Sequence, residues 1–221
     1  MSKIVVFKNL AEYFNYFKPK MVRVLGRGCE GVTYTDGDAA YKMYIYDYPQ
    51  NREYRENVDK IITVDDYDLS SFAFPEILYL VNNLLMAIKL RYVSNDIFHN
   101  WKENKSIEIL KSIDFDAFIN AYLKMLDDIK VLSRDKIYIN DLNSKNLLFD
   151  GKSLVAVDTC FYEADSNETE KHNIQKYNIA ISSFFDFLIK NYPELKPYFG
   201  SDVSYQTDIV KGIEKVKYII K

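Results

Sequence analysis

Three polar side chains that could take part in chemistry lie close together in the sequence. Asp141 and Asn146 are five residues apart in a polar loop, and Asp158 follows after two short apolar runs. The two runs and the turn between them predict a β-hairpin joined by two residues: Leu147-Leu148-Phe149, Asp150-Gly151 and Leu154-Val155-Ala156-Val157. Such a hairpin brings Asn146, just before its first strand, beside Asp158, just after its second. Two carboxylates and one amide oxygen then converge, a set that suits Mg²⁺ and its phosphates.

A glycine-rich loop near the N-terminus is the second feature that could bind a ligand. The strand-like run 22–25 leads directly into Gly26-Arg27-Gly28-Cys29-Glu30-Gly31, which contains three of the seven glycines of the chain. A β-hairpin pattern around Asp36-Gly37 follows, whereas the Rossmann version of this motif opens a helix. Lys42 lies on the second strand of that hairpin, where alternation directs it away from its neighbours. It is either a ligand-binding residue or one of many solvated lysines.

The loop around Asp141 resembles the catalytic loop of the protein-kinase-like phosphotransferases, H-R-D-L-x-x-x-N, which precedes a metal-binding Asp in D-F-G. Asp141-Leu142-Asn143-Ser144-Lys145-Asn146 matches D-L-x-x-x-N without a gap. The resemblance implies that Asp141 orients the attacking hydroxyl and accepts its proton. It also implies that Asn146 and Asp158 hold Mg²⁺.

The same stretch departs from the family pattern in two places. Ile139 and Asn140 replace the His-Arg pair, and Asp158-Thr159-Cys160 replaces D-F-G. Taken alone, the stretch could also be an ordinary hairpin with surface Asp and Asn side chains.

The resemblance extends to the glycine loop, because kinases also place such a loop between two strands, over the nucleotide phosphates. It implies that the three loop glycines bind ATP and that Lys42 reaches the α- and β-phosphates: Gly26, Gly28 and Gly31. In the family a Glu on the next helix pairs with the lysine. Residues 50–62 predict that helix, with Glu56 as the pairing residue and Glu53 as its competitor.

A further hairpin is predicted over 77–93, with Asn82-Asn83 at its turn. By the same resemblance its second strand ends at the kinase hinge. Leu90 would guard the back pocket, and the backbone of Arg91 and Val93 would bond the adenine edge. A buried strand without a ligand is the alternative.

Three longer helices are predicted from apolar residues at helical spacing. One precedes the catalytic loop and is capped by Asp114, one runs from about Asn173 to Lys190, and the last begins at Ser204. A short helix is also expected before Pro19.

These elements predict an α+β chain. The resemblance covers about residues 22–188 and implies a bilobal protein-kinase-like fold. Residues 1–93 would form a small antiparallel β-lobe with the glycine loop, lysine strand, regulatory helix and hinge. Residues 94–221 would form a mainly helical lobe with the catalytic loop. No A-P-E sequence follows Asp158 and only about 60 residues remain, so the C-terminal end of that lobe would be truncated.

Composition excludes several classes of function. The net charge of −3 gives no basic excess for nucleic-acid binding. No apolar stretch has the features of a signal peptide or the length of a membrane span. Two cysteines without zinc-site spacing indicate a reducing, cytoplasmic setting.

The full set of Lys42, Asp141, Asn146 and Asp158 favours catalysis with Mg²⁺ and ATP. A compact protein Ser/Thr kinase is the first expectation. A small-molecule kinase similar to the aminoglycoside and choline phosphotransferases, and a non-catalytic nucleotide-binding pseudokinase, are the alternatives. The sequence does not identify the acceptor.

Overall fold

The computed structural model describes residues 3–45, 58–94, 97, 107–139, 141–160, 162–164, 169–199 and 206–220. The protein is an α+β chain, as expected, and it divides into two compact units. The sheet unit comprises 1–69, 73–93 and 159–161. The helical unit comprises 70–72, 94–158 and 162–221. In this part of the chain, no helix combines the length and the apolar character needed to cross a membrane.

The sheet unit is built on six strands. In chain order they are β1 (Lys3–Phe7), β2 (Arg23–Arg27), β3 (Gly31–Thr35), β4 (Ala39–Tyr44), β5 (Ile77–Val81) and β6 (Leu84–Arg91). Their order in the sheet is β1-β5-β6-β4-β3-β2. Four neighbouring pairs are antiparallel, but β1 runs parallel to β5, with Val5 opposite Tyr79. The expected antiparallel β-lobe is therefore a mixed sheet. The parallel strand β1 was not predicted, because a short apolar run gives no local signal for a partner strand more than 70 residues away.

Turn residues explain how the hairpins of this sheet close. Asn82 and Asn83 both adopt left-handed backbone angles, with φ of 51° and 61°, as a two-residue hairpin turn of the primed type requires. Gly37, at φ 105°, allows the turn between β3 and β4. The Asp36 carboxylate accepts hydrogen bonds from the backbone N–H groups of Asp38 and Ala39 in the same turn.

The sheet buries apolar side chains on both of its faces. Alternation along β4 sends Tyr41 and Met43 into a cluster with Phe17, from helix α1 (Leu10–Phe17). It sends Ala40 and Tyr44 into a second cluster, whose other members are Ile61, Leu78, Leu80, Leu85, Ile88, Leu90 and Cys160. The side chain of Lys42 therefore leaves β4 on the same face as those of Ala40 and Tyr44, opposite Tyr41 and Met43, as alternation predicts.

The helical unit contains five helices among its described residues: α2 (Ile107–Lys111), α3 (Phe115–Arg134), α4 (Thr169–Phe184), α5 (Asp186–Asn191) and α6 (Gln206–Ile220). The predicted cap of α3 is confirmed, since Asp114 accepts hydrogen bonds from the N–H groups of Asp116 and Ala117 at 3.0 and 3.1 Å. The predicted helix over 173–190 begins earlier, at Thr169, and is interrupted at Phe185. Phe185 is fully buried and its ring contacts those of Phe118 and Phe199.

Two small sheets complete the helical unit. Strands β7 (Ile137–Tyr138) and β10 (Glu163–Ala164) pair with each other, and β8 (Leu147–Phe149) pairs with β9 (Leu154–Ala156). The β8–β9 hairpin is confirmed, but its connection has four residues, not two. Asp150 closes it by accepting N–H hydrogen bonds from Lys152 and Ser153, which stabilises the longer turn.

Candidate functional site

The carboxylate of Asp141 is held by two amide side chains of its own loop. Asn143 donates a hydrogen bond to Oδ1 of Asp141 at 2.8 Å, and Asn146 donates one to Oδ2 at 2.9 Å. Asn146 also donates to the backbone oxygen of Asp141 at 3.0 Å. The carboxylate is therefore oriented on both sides while Asp141 itself stays exposed. This arrangement suits a base that must accept a proton from an incoming group.

Asn143 is a positioning residue that the sequence motif did not reveal, because its place in D-L-x-x-x-N is variable. Its side-chain oxygen accepts the backbone N–H groups of Lys145 and Asn146, and its backbone oxygen accepts the N–H of Asn146 at 3.0 Å. These bonds form a local Asx-type turn. The turn fixes the spacing between Asp141 and Asn146.

The hairpin brings Asn146 next to the segment that contains Asp158. The N–H of Val157 donates a hydrogen bond to the backbone oxygen of Asn146 at 2.8 Å. Asp158 follows with a left-handed backbone, at φ 64°. A non-glycine residue rarely adopts this conformation, and such residues cluster at functional sites. The expected proximity of Asn146 and Asp158 therefore has a structural basis in the hairpin.

Asn173, in the first turns of α4, anchors the strand that leads into the loop of Asp141. Its side-chain oxygen accepts the N–H of Ile139 at 2.9 Å, and its amide nitrogen donates to the backbone oxygen of Ile137 at 2.8 Å and to Ser133 Oγ at 3.0 Å. Asn173 is fully buried. The sequence predicted this residue only as a helix start, since partners 34 to 40 residues away leave no local signal. Asn140, between Ile139 and Asp141, lies outside the described residues.

No protein-family model matches this chain, and no curated protein sequence matches it. Among the described residues, no group of three or more His, Cys, Asp or Glu side chains could hold a metal ion. The donor set still fits Mg²⁺, which commonly takes one or two carboxylates and completes its shell with waters and phosphates. In this site the oxygen ligands available to Mg²⁺ are the carboxylate of Asp158 and the amide oxygen of Asn146.

In the sheet unit, Lys42 makes an ion pair with Glu30 of the glycine loop. Lys42 Nζ lies 2.9 Å from Glu30 Oε2, and the two side chains are 11% and 26% exposed. The ammonium also lies 5.3 Å from the centre of the Tyr44 ring. Tyr44 in turn contacts Cys160, with its hydroxyl 3.3 Å from Sγ. Lys42 is thus a largely buried cation and not a solvated surface lysine.

The glycines of the loop differ in what the fold requires of them. A Cβ on Gly31 would lie 2.1 Å from the backbone oxygen of Met43, so the pairing of β3 with β4 demands glycine there. A Cβ on Gly26 or Gly28 would meet no atom of the residues that the structure describes within 4 Å, and neither residue has a positive φ. Glycine at these two positions is therefore not explained by the folded chain itself. Close approach of a ligand to the backbone is a known reason for such glycines.

The remaining predicted residues divide into those that the structure describes and those that it does not. Leu90 is buried and pairs with Ala40 across the sheet, and Arg91 is exposed at the end of β6. Val93 follows the strand and is partly buried. Glu53 and Glu56 lie outside the described residues, as does most of the helix predicted over 50–62.

Proposed function

We propose that the protein is a Mg²⁺- and ATP-dependent phosphotransferase with a bilobal, kinase-like organisation. The observation that carries the proposal is the loop geometry: Asp141 is oriented by two amides, one of which, Asn146, is tied by its backbone to the strand end before Asp158. An ordinary surface hairpin needs neither this double orientation nor a left-handed Asp158.

In the helical unit, Asp141 would accept a hydrogen bond, and then the proton, from the attacking hydroxyl. Phosphoryl transfer depends mainly on positioning and on electrostatic stabilisation, so a pre-oriented carboxylate is the group that the reaction requires. Asn146 and Asp158 would hold the metal ion. A metal ion held there would supply positive charge to offset the negative charge that develops on the phosphates.

In the sheet unit, the glycine loop and Lys42 would bind the nucleotide phosphates. Gly26 and Gly28 leave their backbone open to close approach, since no atom of the described residues lies within 4 Å of where their Cβ would be. Lys42 would contribute a cation whose surroundings exclude most solvent, which strengthens its attraction to a phosphate. The backbone of Arg91 and Val93 would bond the adenine edge.

The acceptor that we propose is a Ser or Thr hydroxyl on a protein, because the Asp141 side chain is exposed. A base in that position is accessible to a group carried on a large surface. Small alcohols such as choline or an aminoglycoside are the competing acceptors. We expect transfer to them to be slower than to protein.

The test is an assay of phosphoryl transfer from ATP with Mg²⁺, using a mixture of proteins in one arm and the small alcohols in the other. Asp141→Asn should lower turnover at least about 100-fold, the usual range for loss of a general base. Asp150→Asn is the matched control. It removes a carboxylate from the neighbouring hairpin turn but keeps the oxygen that accepts the Lys152 and Ser153 N–H groups. Equal turnover by the parent and Asp141→Asn would contradict the proposal.

A further inference from the structure

The side chain of Glu30, in the glycine loop, contacts Lys42. Glu30 Oε2 lies 2.9 Å from Lys42 Nζ, a charge-assisted hydrogen bond. The backbone of Glu30 is fixed on the sheet, because its oxygen accepts the N–H of Ile45 at 2.8 Å. The N–H of Gly28 donates to the oxygen of Gly31 at 2.9 Å and closes the turn that contains Glu30. The contact is therefore part of the folded loop.

A carboxylate and a phosphate bind an ammonium group in the same way. Each is an oxygen anion that accepts hydrogen bonds from Lys at about 2.7–2.9 Å. Both Lys42 and Glu30 are mostly removed from water, so their attraction is screened less than that of an exposed pair. A phosphate that enters this contact is also repelled by the Glu30 carboxylate. The two anions therefore compete for Lys42.

We propose that Glu30 is a built-in competitor for the phosphate position at Lys42, an inference that rests on the proposed function. A nucleotide phosphate must displace the carboxylate before it reaches the ammonium. Since the backbone of Glu30 is held by Ile45, the displacement is a rotation of the side chain. Glu30 thereby weakens the binding of nucleotides through their phosphates and leaves binding through adenosine unaffected.

Calorimetric titration of the full chain with Mg-ADP and with adenosine tests whether Glu30 competes with the nucleotide phosphates. Glu30→Gln keeps the size of the side chain but removes its charge. It should tighten Mg-ADP binding by about three- to tenfold, the effect of relieving one partly screened like-charge contact, and leave adenosine affinity within about twofold. Glu30→Ala should shift Mg-ADP affinity in the same direction and guards against a specific effect of the glutamine amide.

Glu76→Gln is the matched control. Glu76 pairs with Lys89 on the same sheet at 2.6 Å, and its side chain is 32% exposed, close to the 26% of Glu30. This substitution should leave both affinities unchanged. If Mg-ADP bound to Glu30→Gln and Glu30→Ala equally or more weakly than to the parent, Glu30 would not be a competitor, although nucleotide binding would stand. If neither the parent nor the variants bound Mg-ADP, the proposed function would fail together with the inference.

Discussion

The backbone N–H of Val157 donates a hydrogen bond to the backbone oxygen of Asn146 at 2.8 Å. This bond joins the end of the Asp141–Asn146 loop to the residue before Asp158, across a hairpin whose strands pair from Leu147 to Ala156. The side chain of Asn146 meanwhile donates to the carboxylate of Asp141. One residue therefore links the proposed base to the segment that carries the proposed metal ligand.

Metal-dependent nucleotide binding should depend on Asp158. Mg-ATP should raise the melting temperature of the parent protein, with a stabilisation of about 2.7 kcal/mol at a hundredfold excess over Kd. Asp158→Asn should abolish most of that rise, because an amide is a weaker ligand for Mg²⁺. Asparagine tolerates the left-handed backbone at this position, so the unliganded variant should melt close to the parent. Differential scanning fluorimetry measures both quantities, and a full rise in the variant would argue against Asp158 as a metal ligand.

Alanine substitutions at Gly28 and Gly31 should distinguish a glycine needed for ligand binding from one needed for folding. Gly31→Ala places a Cβ 2.1 Å from the oxygen of Met43 and should lower the free energy of unfolding by about 2 kcal/mol or more. The new Cβ in Gly28→Ala meets no atom of the described part of the chain, so this substitution should change the free energy of unfolding by less than about 0.5 kcal/mol, yet it should weaken Mg-ADP binding. Urea unfolding and calorimetric titration test the pair. Unchanged Mg-ADP affinity in Gly28→Ala would mean that no phosphate approaches this glycine.

Asn173 should contribute to stability through the strand before the loop. Asn173→Ala leaves the Ile139 N–H and the Ile137 oxygen without their buried partner, so we expect a loss of about 2–4 kcal/mol in the free energy of unfolding. Asn191→Ala is the control. Its side chain donates to the Phe187 oxygen at an exposed site, and its loss should cost under about 1 kcal/mol. A loss under about 1 kcal/mol in Asn173→Ala would show that the Asn173 anchor does not contribute significantly.

The two cysteines should react at very different rates. Cys29 is exposed in the glycine loop, whereas Cys160 is 2% exposed and contacts the Tyr44 hydroxyl. A thiol alkylator should modify one thiol of the native protein rapidly and the second only on unfolding. Mass spectrometry should locate the fast adduct on Cys29, and Mg-ATP should slow its formation. Cys29→Ser should retain activity and lose the rapid phase; a rapid phase that persisted in this variant would implicate Cys160.

The turn between β3 and β4 should make the free energy of unfolding depend on pH in the acidic range. Burial alone would raise the pKa of Asp36, but hydrogen bonds from Ala39 N–H, the Tyr41 hydroxyl and Asp38 N–H outweigh it and lower the pKa below 3.8. Burial and Asp36 raise the pKa of Tyr41, so its hydroxyl remains a donor. A carboxyl group whose pKa is lower in the folded than in the unfolded state stabilises the fold at pH values above its unfolded-state pKa. This stabilisation is lost as the pH falls through the folded-state pKa.

Urea unfolding of Asp36→Asn against the parent at several pH values measures this contribution. The parent should be the more stable near neutral pH, and the difference should shrink below pH 3.8. Asp38→Asn removes a charge from the same turn and serves as the control. A difference between the parent and Asp36→Asn that stays constant with pH would show that ionised Asp36 does not contribute.

The sequence by itself determined the features that depend on neighbouring residues. Alternation placed Tyr41 and Met43 on one face of β4, Asp114 marked the start of α3, and the Asn82-Asn83 pair marked a hairpin turn. Strand period, helix capping and turn conformation are all properties of a few consecutive residues, so their signals are visible in the chain. The succession of Asp141, Asn146 and a hairpin is local in the same sense.

Only the tertiary structure decided which distant groups meet. The parallel pairing of β1 with β5 joins segments more than 70 residues apart, and Asn173 reaches Ile139 across 34 residues. Glu30 lies nearer to Lys42 in sequence, yet its contact depends on how the loop folds back along β3 and β4. Such contacts are selected by the packing of the whole unit and by the need to pair buried polar groups. No local pattern of residues encodes them.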